Sequence, residues 1–180
     1  AVWDTRTKRA ALTLVGHTDA PLCLKPVGDD CLLSGGRDRT VRMWDLRAAG
    51  RPLLCMEHHT DAVRALLSTG DGSSLVPISA GLDGCLISWN TRTGKPVNAV
   101  RAHDGAINQV LLSGYFESIV TAGSDGVVKL WDPFTLRLRT AMPGHTDEVT
   151  AAVSFGRFIA TGSADHKVKL RDPLINEKKH

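Results

Sequence analysis

The sequence predicts an all-β fold, a β-propeller of four-stranded antiparallel blades, and three observations predict it. First, a unit of about forty residues recurs along the chain. Trp3-Asp4, Trp44-Asp45, Trp89-Asn90, Trp131-Asp132 and a degenerate Arg171-Asp172 are separated by 41, 45, 42 and 40 residues. Second, other residue types keep one register within the unit. An aspartate (Asp38, Asp83, Asp125, Asp165) lies six residues before the tryptophan slot, and a hydroxyl (Ser34, Ser79, Thr121, Thr161) lies four residues before that aspartate. A histidine (His17, His59, His103, His145) precedes the aspartate by 20 to 24 residues. Third, turn residues cut each unit into four strand-sized pieces.

The third unit illustrates the division. Residues 106–112 read as the innermost strand, 117–122 as the second, 127–131 as the third and 137–142 as the outermost. Ser124-Asp125-Gly126 and, one unit earlier, Leu82-Asp83-Gly84 mark the tight turn between second and third strands, because both positions of Asp-Gly tolerate positive φ. The third strands (40–44, 127–131, 167–170) alternate apolar and polar residues, whereas the second strands are nearly all apolar, as sheets covered on both faces require. The chain divides into the end of a preceding blade with an outer strand (1–17), blades at 18–59, 60–103 and 104–145, an incomplete last blade (146–172) and a tail (173–180). Two places break the pattern. Pro77 falls in an interior strand, where its missing N–H predicts a bulge or a shifted register, and 69–74 reads as a lengthened hairpin loop.

Gly16-His17, Gly144-His145 and three intact Trp-Asp pairs, with His58-His59, Ala102-His103 and Trp89-Asn90 as variants, make the chain resemble the WD-repeat family from Trp3 to Asp172. The resemblance implies a buried hydrogen-bonded chain in each blade, in which the turn aspartate holds the histidine ring, the histidine reaches the hydroxyl and the hydroxyl meets the indole N–H. A buried carboxylate is tolerable only among such donors. Arg171 replaces the last tryptophan, so that network is expected to be incomplete. Family members generally close with about seven blades. The chain therefore reads as an open part of a larger ring; the alternative is a chain closed by oligomerisation or a partner, with residues 10–15 supplying the outer strand of the last blade.

Composition excludes several functions. A net charge of +3 with dispersed lysines and arginines is a weak footprint for direct nucleic-acid binding. No run of 18 apolar residues exists to cross a membrane as a helix. Cys23, Cys31, Cys55 and Cys85 lack metal-binding spacing and sit in apolar runs, which predicts buried, reduced thiols and a cytoplasmic or nuclear setting. No Asn-x-Ser/Thr acceptor is present. The Ser/Thr, His and Asp sets do not predict a hydrolase, because a catalytic triad occurs once beside an oxyanion hole and these sets recur in every unit. No metal site is expected, since the repeat spreads the histidines over separate blades, and no cofactor is expected.

Protein recognition remains. In the WD-repeat resemblance, loops on one face contact partner proteins in multi-subunit complexes. The pattern places the residue before each turn aspartate (Arg37, Leu82, Ser124, Ala164) on that face, with the start of each innermost strand: Ala20 and Leu22, Ala62 and Arg64, Ala106 and Asn108, Glu148 and Thr150. Arg37, Arg64, Leu82 and Leu22 lead this set, since arginine and exposed apolar groups carry interface energy, with Asn108, Ser124 and Glu148 beside them. A sharper reading comes from Arg6, Arg47 and Arg92, each two residues past the Asp or Asn of its pair. They resemble the WDxR box by which propellers dock as substrate receptors on the adaptor of cullin-RING ubiquitin ligases; the fourth unit breaks the series with Pro133-Phe134. Membership of a ribonucleoprotein or cytoskeletal assembly is a further alternative. The segment 177–180 reads as a frayed end or the start of further sequence, the alternative being a basic tail that contacts a partner.

Overall fold

The structure, a computed structural model, describes residues 2–48, 50–70 and 75–174, with Trp3 as backbone only. A short hairpin, β1 (Val2–Asp4) with β2 (Arg9–Leu12), precedes four antiparallel sheets. The first blade contains β3 (Pro21–Val27), β4 (Cys31–Gly36), β5 (Thr40–Asp45) and β6 (Pro52–Glu57). The second contains β7 (Val63–Thr69), β8 (Val76–Gly81), β9 (Cys85–Trp89) and β10 (Pro96–Arg101). The third contains β11 (Ile107–Ser113), β12 (Ser118–Gly123), β13 (Val128–Trp131) and β14 (Leu138–Met142). The fourth has three strands, β15 (Val149–Phe155), β16 (Phe158–Ser163) and β17 (Val168–Arg171). Each sheet is a meander in chain order, which alternating runs joined by tight turns produce.

The inner strands β3, β7, β11 and β15 pack in sequence, so the blades form an arc. Between neighbours lie three apolar cores. Leu33, Val41 and Met56 of the first blade meet Val63, Ile87 and Trp89 of the second. Ile78, Ala80 and Leu86 meet Ile107, Ile119 and Trp131. Val120, Val128, Leu130 and Met142 meet Val149, Ala152 and Ile159. β12 is buried along its whole length and β8 at every residue but Val76, whereas alternate residues of β16 are only half-buried, since it has a neighbour on one face.

Three expectations change. Pro77 causes neither a bulge nor a slip: β7 pairs with it in an unbroken register (Ser68 with Pro77), and its effect is to shorten the other ladder, which begins at Ile78 with Ser88. The first blade pairs Leu32 with Trp44 and the third Ile119 with Trp131, but no Pro77–Trp89 pair forms, because proline has no N–H to give. In the turns between second and third strands only the residue after the aspartate takes positive φ: Gly84 and Gly126 at 74°, Arg39 at 65° and His166 at 64°. The i to i+3 bond that closes each turn (Gly84 N–H to Gly81 C=O, 3.2 Å) leaves the aspartate right-handed. The cysteines are free, but Cys55 is exposed and the others are half-buried, because Cys55 points outward on the alternating outer strand β6. Residues 71–74 of the lengthened loop and the tail from 175 lie outside the described residues.

Candidate protein-interaction site

The repeated histidine sets form one geometry. In the first blade His17 Nδ1–H donates to Asp38 at 2.7 Å, Trp44 Nε1–H donates to Ser34 Oγ at 2.8 Å, and Ser34 Oγ lies 2.6 Å from His17 Nε2. A carboxylate only accepts, so the imidazole carries its proton on Nδ1 and takes the hydroxyl proton at Nε2. His59–Ser79–Trp89 with Asp83 and His103–Thr121–Trp131 with Asp125 repeat this at 2.7–3.1 Å. In the fourth blade His145 meets Asp165 and Thr161 at 2.9 Å, and no indole arrives. Arg171 stands in its place, one N–H on Pro143 C=O, with Nε and Nη2 buried and unpartnered. Burial depresses its basicity.

The electrostatics belong to a framework. Burial alone would raise the Asp38, Asp83, Asp125 and Asp165 carboxyls, but the histidine and backbone N–H bonds outweigh it and hold each below the ordinary range. Burial likewise pushes the His103 imidazole down, against the pull of Asp125. His103 is 1% exposed and sits between two hydrogen-bonded partners, the placement of a structural member of the blade. No cluster of three or more metal-ligating side chains occurs among the described residues.

The other candidates gather at one end of the inner strands. Arg37, Leu82, Ser124 and Ala164 each donate a backbone N–H to the residue opening the inner strand: Ala20 (2.9 Å), Ala62 (2.9 Å), Ala106 (2.9 Å) and Glu148 (3.0 Å). Just beyond, every inner strand carries one extra residue against its partner: Leu22, Arg64, Asn108 and Thr150. A bulge frees a residue from the pleat and re-aims its side chain. The four bulges repeat at one level of four adjacent strands, so these residues and the neighbouring turn residues form one rim. Arg37, Arg64, Leu22 and Thr150 are exposed there; Leu82, Ser124 and Glu148 are half-buried. Asn108 is committed elsewhere, donating from Nδ2 to Val149 C=O at 2.9 Å and lying near Glu148 at 3.4 Å, which ties the third blade to the fourth.

Arg6, Arg47 and Arg92 lie at the other end. The Asp or Asn of each Trp-Asp pair accepts the backbone N–H two residues on: Arg6 at 2.8 Å, Arg47 at 2.9 Å, Arg92 at 2.9 Å, Phe134 at 3.0 Å and Leu174 at 3.1 Å. This Asx turn sets the position whatever the side chain. Arg47 folds back onto Asp45 (3.0 Å) and Asp30 (3.3 Å), while Arg6 and Arg92 have no ion pair among the described residues.

Four meandering antiparallel sheets carrying one repeated hydrogen-bonded framework define a β-propeller, a fold that generally serves as a protein-interaction scaffold. The family model described as WD domain, G-beta repeat matches residues 9–45, 50–90, 94–132 and 136–172, and the chain belongs to the WD40 family. It is 30% identical over 176 residues to Autophagy-related protein 16 of Arabidopsis thaliana, covering 93% of this chain and 34% of that protein. It is 30% identical over 161 residues to Protein FIZZY-RELATED 3 of Arabidopsis thaliana (87% and 33%) and over 145 residues to Telomerase protein component 1 of Rattus norvegicus (78% and 5%). The chain thus spans about a third or less of the length of these relatives. Among solved structures it resembles the computationally designed Ika4 protein (TM-score 0.78, 28% identity, 91% of this chain and 98% of that one). It also resembles the designed Ika8 protein (TM-score 0.80, 28% identity, 93% and 50%). No described helix is long and apolar enough to cross a membrane.

Proposed function

We propose that the chain binds partner proteins of a multi-subunit complex through the bulged rim, in a cytoplasmic or nuclear setting. The observation that carries this reading is the recurrence of one bulge on all four inner strands, which presents Leu22, Arg64, Asn108 and Thr150 in identical frames with unlike chemistry. A rigid scaffold displaying variable residues is the usual arrangement of a recognition surface. Arg37 and Arg64 supply guanidiniums able to grip carboxylates bidentately, and Leu22 an apolar contact. Affinity purification of the natural-length protein, compared with Arg37→Glu/Arg64→Glu, tests it. Partners present with the parent protein and lost from the variant support the rim; unchanged partners dismiss it.

A second reading has an observation of its own. The Asx turns hold Arg6, Arg47 and Arg92 at equivalent positions on the opposite end, as docking on a cullin-RING ligase adaptor would need. Arg47 must first leave Asp45 and Asp30. Arg6→Ala/Arg47→Ala/Arg92→Ala should lose that adaptor while keeping rim partners, if this reading holds. A ribonucleoprotein setting, to which the name of the telomerase relative points, predicts partners released by nuclease.

A further inference from the structure

We propose that a groove between the second and third blades, at the end opposite the rim, holds an extended segment of a partner protein through one apolar side chain flanked by carboxylates. The groove is a cavity of about 340 Å³ whose lining includes Leu112, Glu117, Pro133, Phe134 and Arg139. Each of the two blades has a neighbour packed on both faces, so the exposure of these residues does not arise at an end of the arc.

The central residue is Phe134. It occupies the turn position held by Arg6, Arg47 and Arg92 in the preceding units, and it is 70% exposed. A single exposed phenylalanine is ordinary. Here, though, the backbone beneath the ring is fixed from two blades. Phe134 N–H donates to Asp132 at 3.0 Å, and Phe134 C=O accepts from Asn98 Nδ2 of the second blade at 3.1 Å. Leu112, 44% exposed near the end of β11, adds a second apolar surface. Arg139 is fixed as well: Nη2 donates to Asp132 at 2.7 Å, and Nη1 faces Phe116 C=O, Glu117 C=O and Ser118 Oγ at 2.8–3.2 Å. Its charge is matched and its donors are engaged, so it shapes the cavity and leaves ligand recognition to the groups around it. A slot ordered before binding avoids the entropy loss of ordering its walls, and it is the setting in which one inserted side chain acts as an anchor.

Charge selects the occupant. Arg92 and Lys95 lie on the turn between β9 and β10, which leads into the strand of Asn98, and Arg137 lies on the turn of Phe134 itself. All three are exposed, with no ion pair among the described residues. Against them stands Glu117, exposed on the turn between β11 and β12, while Asp132 is held by Arg139. The balance is cationic and favours a partner bearing carboxylates. Residues 71–74, which follow Gly70 of the lining, are Asp-Gly-Ser-Ser and offer no apolar side chain to fill the slot. A concave slot suits an inserted side chain better than a flat anionic bilayer.

Panning a phage library of random peptides against the natural-length protein tests this, with the best peptide then labelled with fluorescein and titrated by fluorescence polarisation. Enriched peptides should share one apolar residue beside aspartate or glutamate. Phe134→Arg, which restores the residue type of the preceding units at an exposed site, should weaken that peptide by about tenfold or more with an unchanged thermal melt. Lys95→Glu/Arg137→Glu should enrich peptides that keep the apolar residue and lose the acidic ones. Arg37→Glu/Arg64→Glu and Arg6→Ala/Arg47→Ala should leave the peptide bound, which separates this groove from the rim and from adaptor docking. A library that yields no such motif overturns the proposal. So does a peptide that binds Phe134→Arg as tightly as the parent, a peptide lost from the rim variant, or a protein that binds phosphatidylserine vesicles through Phe134 in place of any peptide.

Discussion

Replacing Thr121 by valine tests the histidine framework most directly. The side chains are nearly isosteric, so the change removes a hydroxyl and little volume. Thr121 is fully buried, and its Oγ1 receives the Trp131 indole N–H at 2.8 Å and lies 2.7 Å from His103 Nε2. Valine leaves two groups unpaired in a dry interior, each costing about 1–3 kcal/mol, so the sum is about 2–6 kcal/mol. Thr161→Val in the fourth blade is the internal comparison. Arg171 brings no indole there, only His145 Nε2 loses its strong partner, and the cost is about 1–3 kcal/mol. Thr121→Ser keeps the hydroxyl and should lose only about a methyl's worth of burial, about 0.8 kcal/mol. Thermal melts followed by circular dichroism read the order, each kcal/mol shifting Tm by about 2–4 °C in a chain this size. Thr121→Val melting with Thr161→Val, or within about 2 °C of the parent, would refute the reasoning, for it would mean that the tryptophan bond contributes nothing.

Gly123→Ala should destabilise by about 1–3 kcal/mol, because the new Cβ would clash with Nδ1 and Cγ at the edge of the His103 ring and lie 2.8 Å from Asp125 Oδ1. Gly162→Ala, whose Cβ would meet only Ala151 at 3.9 Å, should be nearly silent; equal urea midpoints would contradict this. Stability should fall as pH falls. His103 and the network aspartates bind protons more weakly folded than unfolded, so protonation favours the unfolded chain, first below about pH 6.5 through His103 and then below about pH 4 through Asp38, Asp83 and Asp125. A urea midpoint that rises between pH 7.5 and 5.5 would sink that account. Burial pushes the Cys23 thiol up to about 11, whereas Cys55 is exposed, so iodoacetamide should label Cys55 first and Cys23 chiefly on unfolding. Mass spectrometry finding Cys23 labelled first would reverse the assignment.

The framework was legible because hydrogen bonding imposes fixed spacings on it. A tight turn places Asp38 six residues before Trp44, and the strand pairing of Ser34 with Arg42 carries the hydroxyl under the indole; each constraint leaves a countable interval. Pro77 was read wrongly because a sequence does not say which edge of a strand a missing N–H faces, and only the β8–β9 ladder needed it. The bulges were silent because leucine, arginine, asparagine and threonine share no chemistry. Their sole common signal is an offset from the strand's start, which binary patterning does not resolve. Asn108 was placed on the face by position, yet its partners lie forty and forty-one residues on, in the next blade, where no local pattern reaches.

The proposed rim can be sharpened by subtraction. Four blades share one framework, so whatever distinguishes this chain from a generic scaffold resides where equal geometry carries unlike residues. Asn108 and Glu148 are spent on the joint between third and fourth blades, and Ser124 is half-buried and uncharged. What remains exposed and able to anchor is Leu22 and Arg37 of the first blade and Arg64 of the second. The partner's weight should therefore fall on the first two blades, through anionic groups facing the two guanidiniums. Charge reversal at Arg37 and Arg64 should cost a bound partner 10-fold or more in affinity, roughly 1.4 kcal/mol, measured by surface plasmon resonance on a partner recovered by affinity purification. Ser124→Glu/Thr150→Glu should leave binding nearly unchanged. Equal losses from both pairs would show a partner spread evenly around the rim, and the weighting argued from Arg37 and Arg64 would be wrong.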